Sequence, residues 1–423
     1  MPNSTIGPDP ITAGLRELRD RLAGVDSGEI ATYIPELSHA DPEWFGIALC
    51  TLGGLYQAGD SQRPFTIQSV SKPFVYALAV ADQGIDKVLA HVGVEPSGEA
   101  FNAIRLDPDG RPFNPMINAG AIVTSWLVHG GDPDEKFERI RGGLSAFAGR
   151  ELRVDKQVLA SELATSDGNR ALCYLMRGAG TLDCDVEDVL SVYFRQCSLL
   201  VTAADLAVMA GTLAAGGVDP VSRRVVIGPT IAQHVLTVMA TCGTYDFSGE
   251  WLLRAGMPAK SGVSGGLAAA LPGQFGLGVF SPPLDQHGNS VRATAVCREL
   301  ADRFGLHLMR RSVRELPVFH RLVPHGRSVL VCELQSDMGF TGAETIVRDV
   351  AARLDGIRWL VLDLSRVGEL ESVAVTLLSV FARQLAERGI QTVVTDPRLR
   401  GLFGDQVPEY ASLAGTPLPL CRI

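Results

Sequence analysis

The chain has 423 residues, a net charge of −9, 46 % hydrophobic and 20 % charged residues, 45 Gly and 24 Pro. That length predicts two or three domains, and the composition excludes a disordered, collagenous or coiled-coil chain. There is no basic stripe with interleaved aromatics, no apolar run of roughly 18 residues, and no basic start followed by an apolar core, so the expected protein binds no nucleic acid, meets no membrane and is cytoplasmic.

In chain order, residues 1–10 are polar and Pro-rich and read as a disordered start. Ile11, Leu15, Leu18 and Leu22 form a helical stripe. Trp44 to Leu52 reads as a buried strand closed by Gly53 and Gly54. Ser71 to Ala81 and Ala119 to Val128 are apolar enough for buried helices. Gln274 to Phe280, a turn through Pro282, Pro283 and Gly288, and Ser290 to Val296 read as strand, turn, strand. Residues 11–306 form one block, and an Arg-rich linker over 307–317 follows. Residues 318–423 change rhythm: strands at Ser328 to Leu334, Trp359 to Leu364 and Ile390 to Val394 alternate with helices at Thr341 to Leu354 and Val373 to Arg388. Such alternation predicts a small α/β domain.

The eight cysteines form no CxxC pair and read as reduced, structural thiols, with Cys197 and Cys242 as packing groups. Neither HExxH nor GxxxxGK[ST] occurs, so neither metal nor cofactor is expected. Only five of the 38 basic residues are lysines: Lys72, Lys87, Lys136, Lys156 and Lys260. Coding bias explains most of that, yet a surviving Lys is enriched where Arg fails, because Lys can give up its proton and Arg cannot.

Ser69 and Lys72 are three apart and share a face of a helix starting near Ser69, with Pro73 in its first turn. A Ser hydroxyl needs a base to become a nucleophile, and a Lys serves once burial or a neighbouring cation lowers its pKa. The pattern alone is weak. Lys260-Ser261-Gly262 raises it, because it has the form of the K-[ST]-G element that accompanies S-x-x-K in penicillin-binding-type serine acyl-transferases. Two of the five lysines thus fall in the two halves of one signature. Lys87, Lys136 and Lys156 read as ordinary surface residues.

Tyr33 to Leu37, Phe65 to Lys72, Asn114 to Ile122, Ser161-Glu162 with Asn169, Tyr193 to Ser198, Thr241 to Gly249 and Pro258 to Gly266 together closely resemble the serine-dependent glutaminases, over residues 33 to about 297. The resemblance implies a β-lactamase/penicillin-binding-like domain, an antiparallel sheet with a helical subdomain, that hydrolyses L-glutamine to L-glutamate and ammonia. It also implies Ser69 as nucleophile, Lys72 as base, and Ser69, Asn118, Glu162, Asn169, Tyr193, Tyr245 and the Val263 backbone as glutamine-binding groups. Tyr33 matches a tyrosine near the nucleophile, and Thr244 stands where many members carry a larger apolar residue. A homo-oligomer, dimer or tetramer, is expected. The chemistry agrees: the substrate ammonium needs a carboxylate such as Glu162, its carboxylate needs neutral donors, and the oxyanion needs N–H donors such as those of Ser69 and Val263. Tyr245 is placed to relay a proton to the leaving nitrogen.

Trp359 to Leu378 resembles STAS domains, which implies a regulatory module binding a protein or small ligand. Ser372 takes the place of a phosphorylated serine, but Glu371 replaces the preceding Asp, so an N-cap role is the stronger reading and a phosphosite the weaker. Two alternatives stand beside a STAS-tailed glutaminase: a penicillin-binding or β-lactam hydrolase, and a signalling protein whose first block is a non-catalytic scaffold.

Overall fold

A computed structural model describes residues 10–32, 34–98, 105–310, 319–325 and 328–418. The expected disordered start up to residue 9, Tyr33 and linker residues 311–317 lie outside them. The chain divides into two compact units, Met1–Arg311 and Ser312–Ile423.

The first unit opens with α1 (Pro10–Leu22), strands β1 (Gly46–Thr51), β2 (Gly54–Gly59) and β3 (Phe65–Thr66), and helices α2 (Lys72–Gln83) and α3 (Ile85–Leu89). A helical run follows: α4 (Asn118–Leu127), α5 (Pro133–Ala148), α6 (Lys156–Ala164), α7 (Asp167–Gly178) and α8 (Val186–Cys197). Then come β4 (Leu200–Val201), α9 (Ala203–Ala214), α10 (Pro229–Cys242), α11 (Ser248–Arg254), β5 (Ala259–Ser261), β6 (Gly266–Leu271), β7 (Phe275–Phe280) and α12 (Val291–Phe304).

Five strands form an antiparallel sheet in the order β2-β1-β7-β6-β5. Alternate residues serve two cores, the period-2 consequence of a pleated strand. Ile47, Leu49, Leu277 and Val279 join Leu15 and Leu18 of α1 and Val296 and Leu300 of α12. Ala48, Cys50, Ala268 and Ala270 face the helical layer of α2, α5, α9 and α10. The alternating glycines of β7 have a steric cause. A Cβ on Gly276 would lie 1.9 Å from Gly211 N, and one on Gly278 2.0 Å from Ala203 O, so a side-chain-free strand lets α9 lie against the sheet.

One expected element is wrong in kind. Ser290 to Val296 is not a strand: α12 begins at Val291, with the Ser290 side chain accepting from Ala293 N as its N-cap. Val291, Ala293, Ala295 and Cys297 mimic strand alternation, but Ala293, Val296, Cys297 and Leu300 form the buried helical face. Lys136 is likewise no ordinary surface residue. Its Nζ donates to Trp126 O at 2.7 Å and Val128 O at 2.8 Å, capping the C-terminal end of α4.

The second unit contains β8 (Phe319–His325), β9 (Val329–Gln335), α13 (Phe340–Ala351), β10 (Trp359–Arg366), α14 (Ser372–Glu387), β11 (Gln391–Thr395) and β12 (Glu409–Tyr410). The strand order is β12-β11-β10-β9-β8, parallel except for the β8–β9 pair. Leu330, Leu360, Leu362 and Val394 pack with Ile346 of α13 and Leu378 of α14. Strands β8 and β12 do not appear in the sequence reading. Ser372 is not the N-cap of α14: Glu371 holds that position in extended backbone, with no side-chain cap, and Ser372 is the first helical residue.

Candidate active site

Strand β3 pairs with β4, and the Phe65 ring stacks on Phe280 of β7 with centroids 4.1 Å apart. This seats the following segment, Gln68 to Ser71, against the sheet. It is a 3-10 turn, not the first turn of the helix expected from Ser69. At its head Gln68 has a φ of 48°, in the left-handed region. Lys72 N closes the turn on Ser69 O, and α2 starts there with Pro73 in its first turn. Ser69 is 9 % exposed and Lys72 is 0 % exposed.

Lys72 Nζ donates to Asn118 Oδ1 at 2.7 Å. The same oxygen accepts from the Tyr193 hydroxyl at 3.3 Å, and Asn118 Nδ2 donates to Asn169 Oδ1 at 3.1 Å. Residues from α2, α4, α7 and α8 thus meet at one amide. Burial pushes Lys72 down to about 8, against the upward pull of Cys197 and Glu162. Burial pushes Glu162, on α6, up to about 7, opposed by a hydrogen bond from the Gln68 side chain and by the Lys72 charge. Cys197 is pushed up to about 12 and Cys242 to about 11, both first by burial, so both remain thiols.

On the opposite side stands Tyr245, also left-handed at φ 63°. Its hydroxyl donates to Ser261 O at 3.1 Å and is hydrogen-bonded to Ser69, and burial raises its pKa to about 12. Lys260 Nζ donates to Gly243 O at 2.8 Å and Ser261 O at 2.9 Å and lies 3.8 Å from the centroid of the Tyr245 ring. Burial, then Lys72, push Lys260 well down. Two carbonyls and a ring face nevertheless offer one partner to each of three N–H groups, which is an ammonium's valence and not an amine's. Gly262 brings the next residues onto the nucleophile turn, since a Cβ there would sit 3.0 Å from Val70 Cγ2 and 3.2 Å from Ile67 O. Val263 and Tyr245 line one wall of a cleft of about 580 Å³ that also takes in Asp246 and His287.

Tyr33 lies outside the described residues, but Glu36 from the same motif accepts from Ser161 Oγ at 2.8 Å, one residue before Glu162. Thr244 is buried and donates its backbone N–H to Ser248 Oγ at 3.1 Å. The structure therefore brings together Ser69, Lys72, Asn118, Glu162, Asn169, Tyr193, Tyr245 and Lys260, with Val263 beside Tyr245. Ser372 belongs to the other unit. Sequence reasoning missed Gln68, Ser71 and Gln196. All three fall inside motifs of the resemblance, Gln68 and Ser71 in Phe65 to Lys72 and Gln196 in Tyr193 to Ser198, but nothing in residue type announces a left-handed backbone or a buried relay.

The glutaminase family profile matches residues 28–309. The chain belongs to the glutaminase family. Its second unit carries a STAS domain, matched over residues 321–401. The chain is 46 % identical to Glutaminase 2 of Bradyrhizobium diazoefficiens over 91 % of this chain and 65 % of that protein, so it spans just under two thirds of that relative's length. It is 40 % identical to the glutaminase of Corynebacterium glutamicum over 96 % of this chain and 98 % of that one. A crystal structure of Mglu in its glutamate form is 39 % identical, with a TM-score of 0.82, covering 92 % of this chain and 99 % of that chain. The first unit, an antiparallel sheet packed against helices, and the α/β second unit agree with these relationships.

Proposed function

We propose that the chain hydrolyses L-glutamine to L-glutamate and ammonia through a γ-glutamyl ester of Ser69. The observation that carries this reading is Lys72, fully buried beside the Ser69 turn and pushed down to about 8, where it can shed a proton near neutral pH. Glu162 receives the substrate ammonium, which restores its carboxylate charge. Asn118, Asn169 and Tyr193 surround the substrate carboxylate, with Asn118 Oδ1 also orienting Lys72. Lys72 takes the Ser69 proton as the oxygen attacks the side-chain amide. The backbone N–H groups of Ser69 and Val263 hold the oxyanion, each worth about 3–4 kcal/mol in sites of this kind. Tyr245, bonded to Ser69, passes a proton to the departing nitrogen. Water then cleaves the ester. Lys260, with two carbonyls and the Tyr245 ring face as partners for its three N–H groups, keeps Tyr245 in place.

The residues beyond 318 act as a separate regulatory domain that binds a partner protein or a small ligand, with Ser372 the weaker candidate for a phosphate switch. We also assign the enzyme to the cytoplasm, as a homodimer or homotetramer. Among the described residues no helix is long and apolar enough to cross a membrane.

Ammonia release from L-glutamine, run beside turnover of the β-lactam nitrocefin, tests the activity. Release of ammonia without nitrocefin turnover is expected. Nitrocefin turnover alone assigns the site to the penicillin-binding class, and neither activity makes the first unit a scaffold.

A further inference from the structure

Gln68, immediately before the nucleophile, holds a φ of 48° that a residue with a side chain rarely adopts. Its carbonyl accepts from Ser71 Oγ at 2.7 Å. A carbonyl can only accept, so the Ser71 proton is committed there and its oxygen is left to accept. Gln196 Nε2 donates to that oxygen at 2.9 Å, which turns Gln196 Oε1 the other way, where Ser125 Oγ donates to it at 2.7 Å. The same Ser125 hydroxyl also donates to Ala121 O at 2.7 Å, a three-centre bond that ties it to its own helix, α4. Donors therefore run in one direction, from α4 through α8 to the nucleophile turn. Ser71, Ser125 and Gln196 are all 0 % exposed, so water does not substitute for any link.

We infer that Ser71 and Gln196 are positioning residues, forming with Ser125 a one-way buried relay that clamps Gln68 left-handed and so aims Ser69. They touch no reacting atom. A buried amide bonded at both ends has one orientation, and the turn inherits it. The inference rests on Ser69 being the nucleophile. The side chain of Gln68 is a separate matter: its hydrogen bond to Glu162 belongs to substrate affinity.

Steady-state kinetics of the full chain with L-glutamine test it. Ser71→Ala and Gln196→Leu are expected to lower kcat by about tenfold or more, the cost of misaiming a reacting group, while KM moves less than about threefold. Adding Gln68→Gly to Ser71→Ala should return kcat by at least about threefold, because glycine takes the left-handed backbone unaided. KM should rise in that double variant, since the contact to Glu162 is gone. A purely packing role for Ser71 predicts the reverse, with the glycine adding to the damage, and that result, or wild-type kcat in both single variants, overturns the inference. If those variants do not fold, Ser125→Ala carries the test: a kcat loss of about threefold at constant KM supports the relay, and an unchanged kcat overturns it. Ser69→Ala separates the two readings. An active Ser69→Ala enzyme removes the nucleophile assignment itself, whereas an inactive one beside unaffected Ser71 and Gln196 variants removes only the relay.

Discussion

Lys72 enters its buried position with one short bond to Asn118 Oδ1, whereas Lys260 meets two carbonyls and an aromatic face. Burial pushes both down, yet only the second has a partner for each of an ammonium's three N–H groups, so the proposed mechanism gives two lysines of equal burial different roles. Ser69→Ala is expected to abolish turnover and Lys72→Arg nearly so, since Arg keeps the charge but cannot accept the proton. Because the neutral amine is the active form, kcat should climb as pH rises through about 8, and a pH–rate profile checks it. Near wild-type activity in Lys72→Arg would move the base to Tyr33 or Tyr245. Glu162 makes a stability prediction of the other sign. Its folded pKa of about 7 lies above the ordinary 4.5, so the ionised carboxylate costs nothing below pH 4.5 and its full penalty above pH 7. Glu162→Gln should therefore gain on the wild type as pH rises from 4.5 to 7, by up to about 3 kcal/mol, while losing substrate binding. Urea melts at the two pH values test this, and a stability difference independent of pH would refute it.

At the scale of elements, α9 and β7 show how much the site depends on absent side chains. Gly278→Val would drive a Cβ to within 2.0 Å of Ala203 O, a backbone atom that cannot step aside. The expected loss is about 3 kcal/mol or more, or failure to fold, since overpacking against backbone is among the most damaging core changes. A denaturation midpoint close to that of the wild type would show that α9 can shift outward. The helix α4, which delivers Asn118 from its first residue, is closed at its far end by Lys136. A surface lysine by composition is thus part of the scaffold of the site.

For the whole molecule, the hydrophobic clusters of the first unit are built from its own residues, as are those of the second. Residues 1–310 are therefore expected to fold alone, with a circular dichroism melt that is cooperative. If the STAS domain regulates, that fragment should differ from the full chain in kinetics or in assembly, read by ammonia release and light scattering. Identical kinetics, stability and assembly in the two proteins would remove the proposed regulatory role.

The patterns on which the proposed chemistry rests were legible from the residues alone. Ser69 with Lys72, and Lys260 with Ser261 and Gly262, are local patterns, because a reaction demands particular functional groups at short spacing. The strand at β1, the helices α2 and α4, and the α/β alternation of the second unit were legible for a related reason: burial on one or two faces imposes a period on the chain. The strand expected at Ser290 to Val296 failed because seven residues, small or apolar except for Arg292, satisfy both periods. Only the longer face ending at Leu300, and the Ser290 cap, decide for a helix. Tertiary structure alone placed Gln68 in a left-handed turn and joined Ser71, Gln196 and Ser125, which are separated by 54 to 125 positions along the chain. Backbone strain and the direction of a buried hydrogen bond depend on what closes around a residue in space, and that information is spread over two helices and a turn.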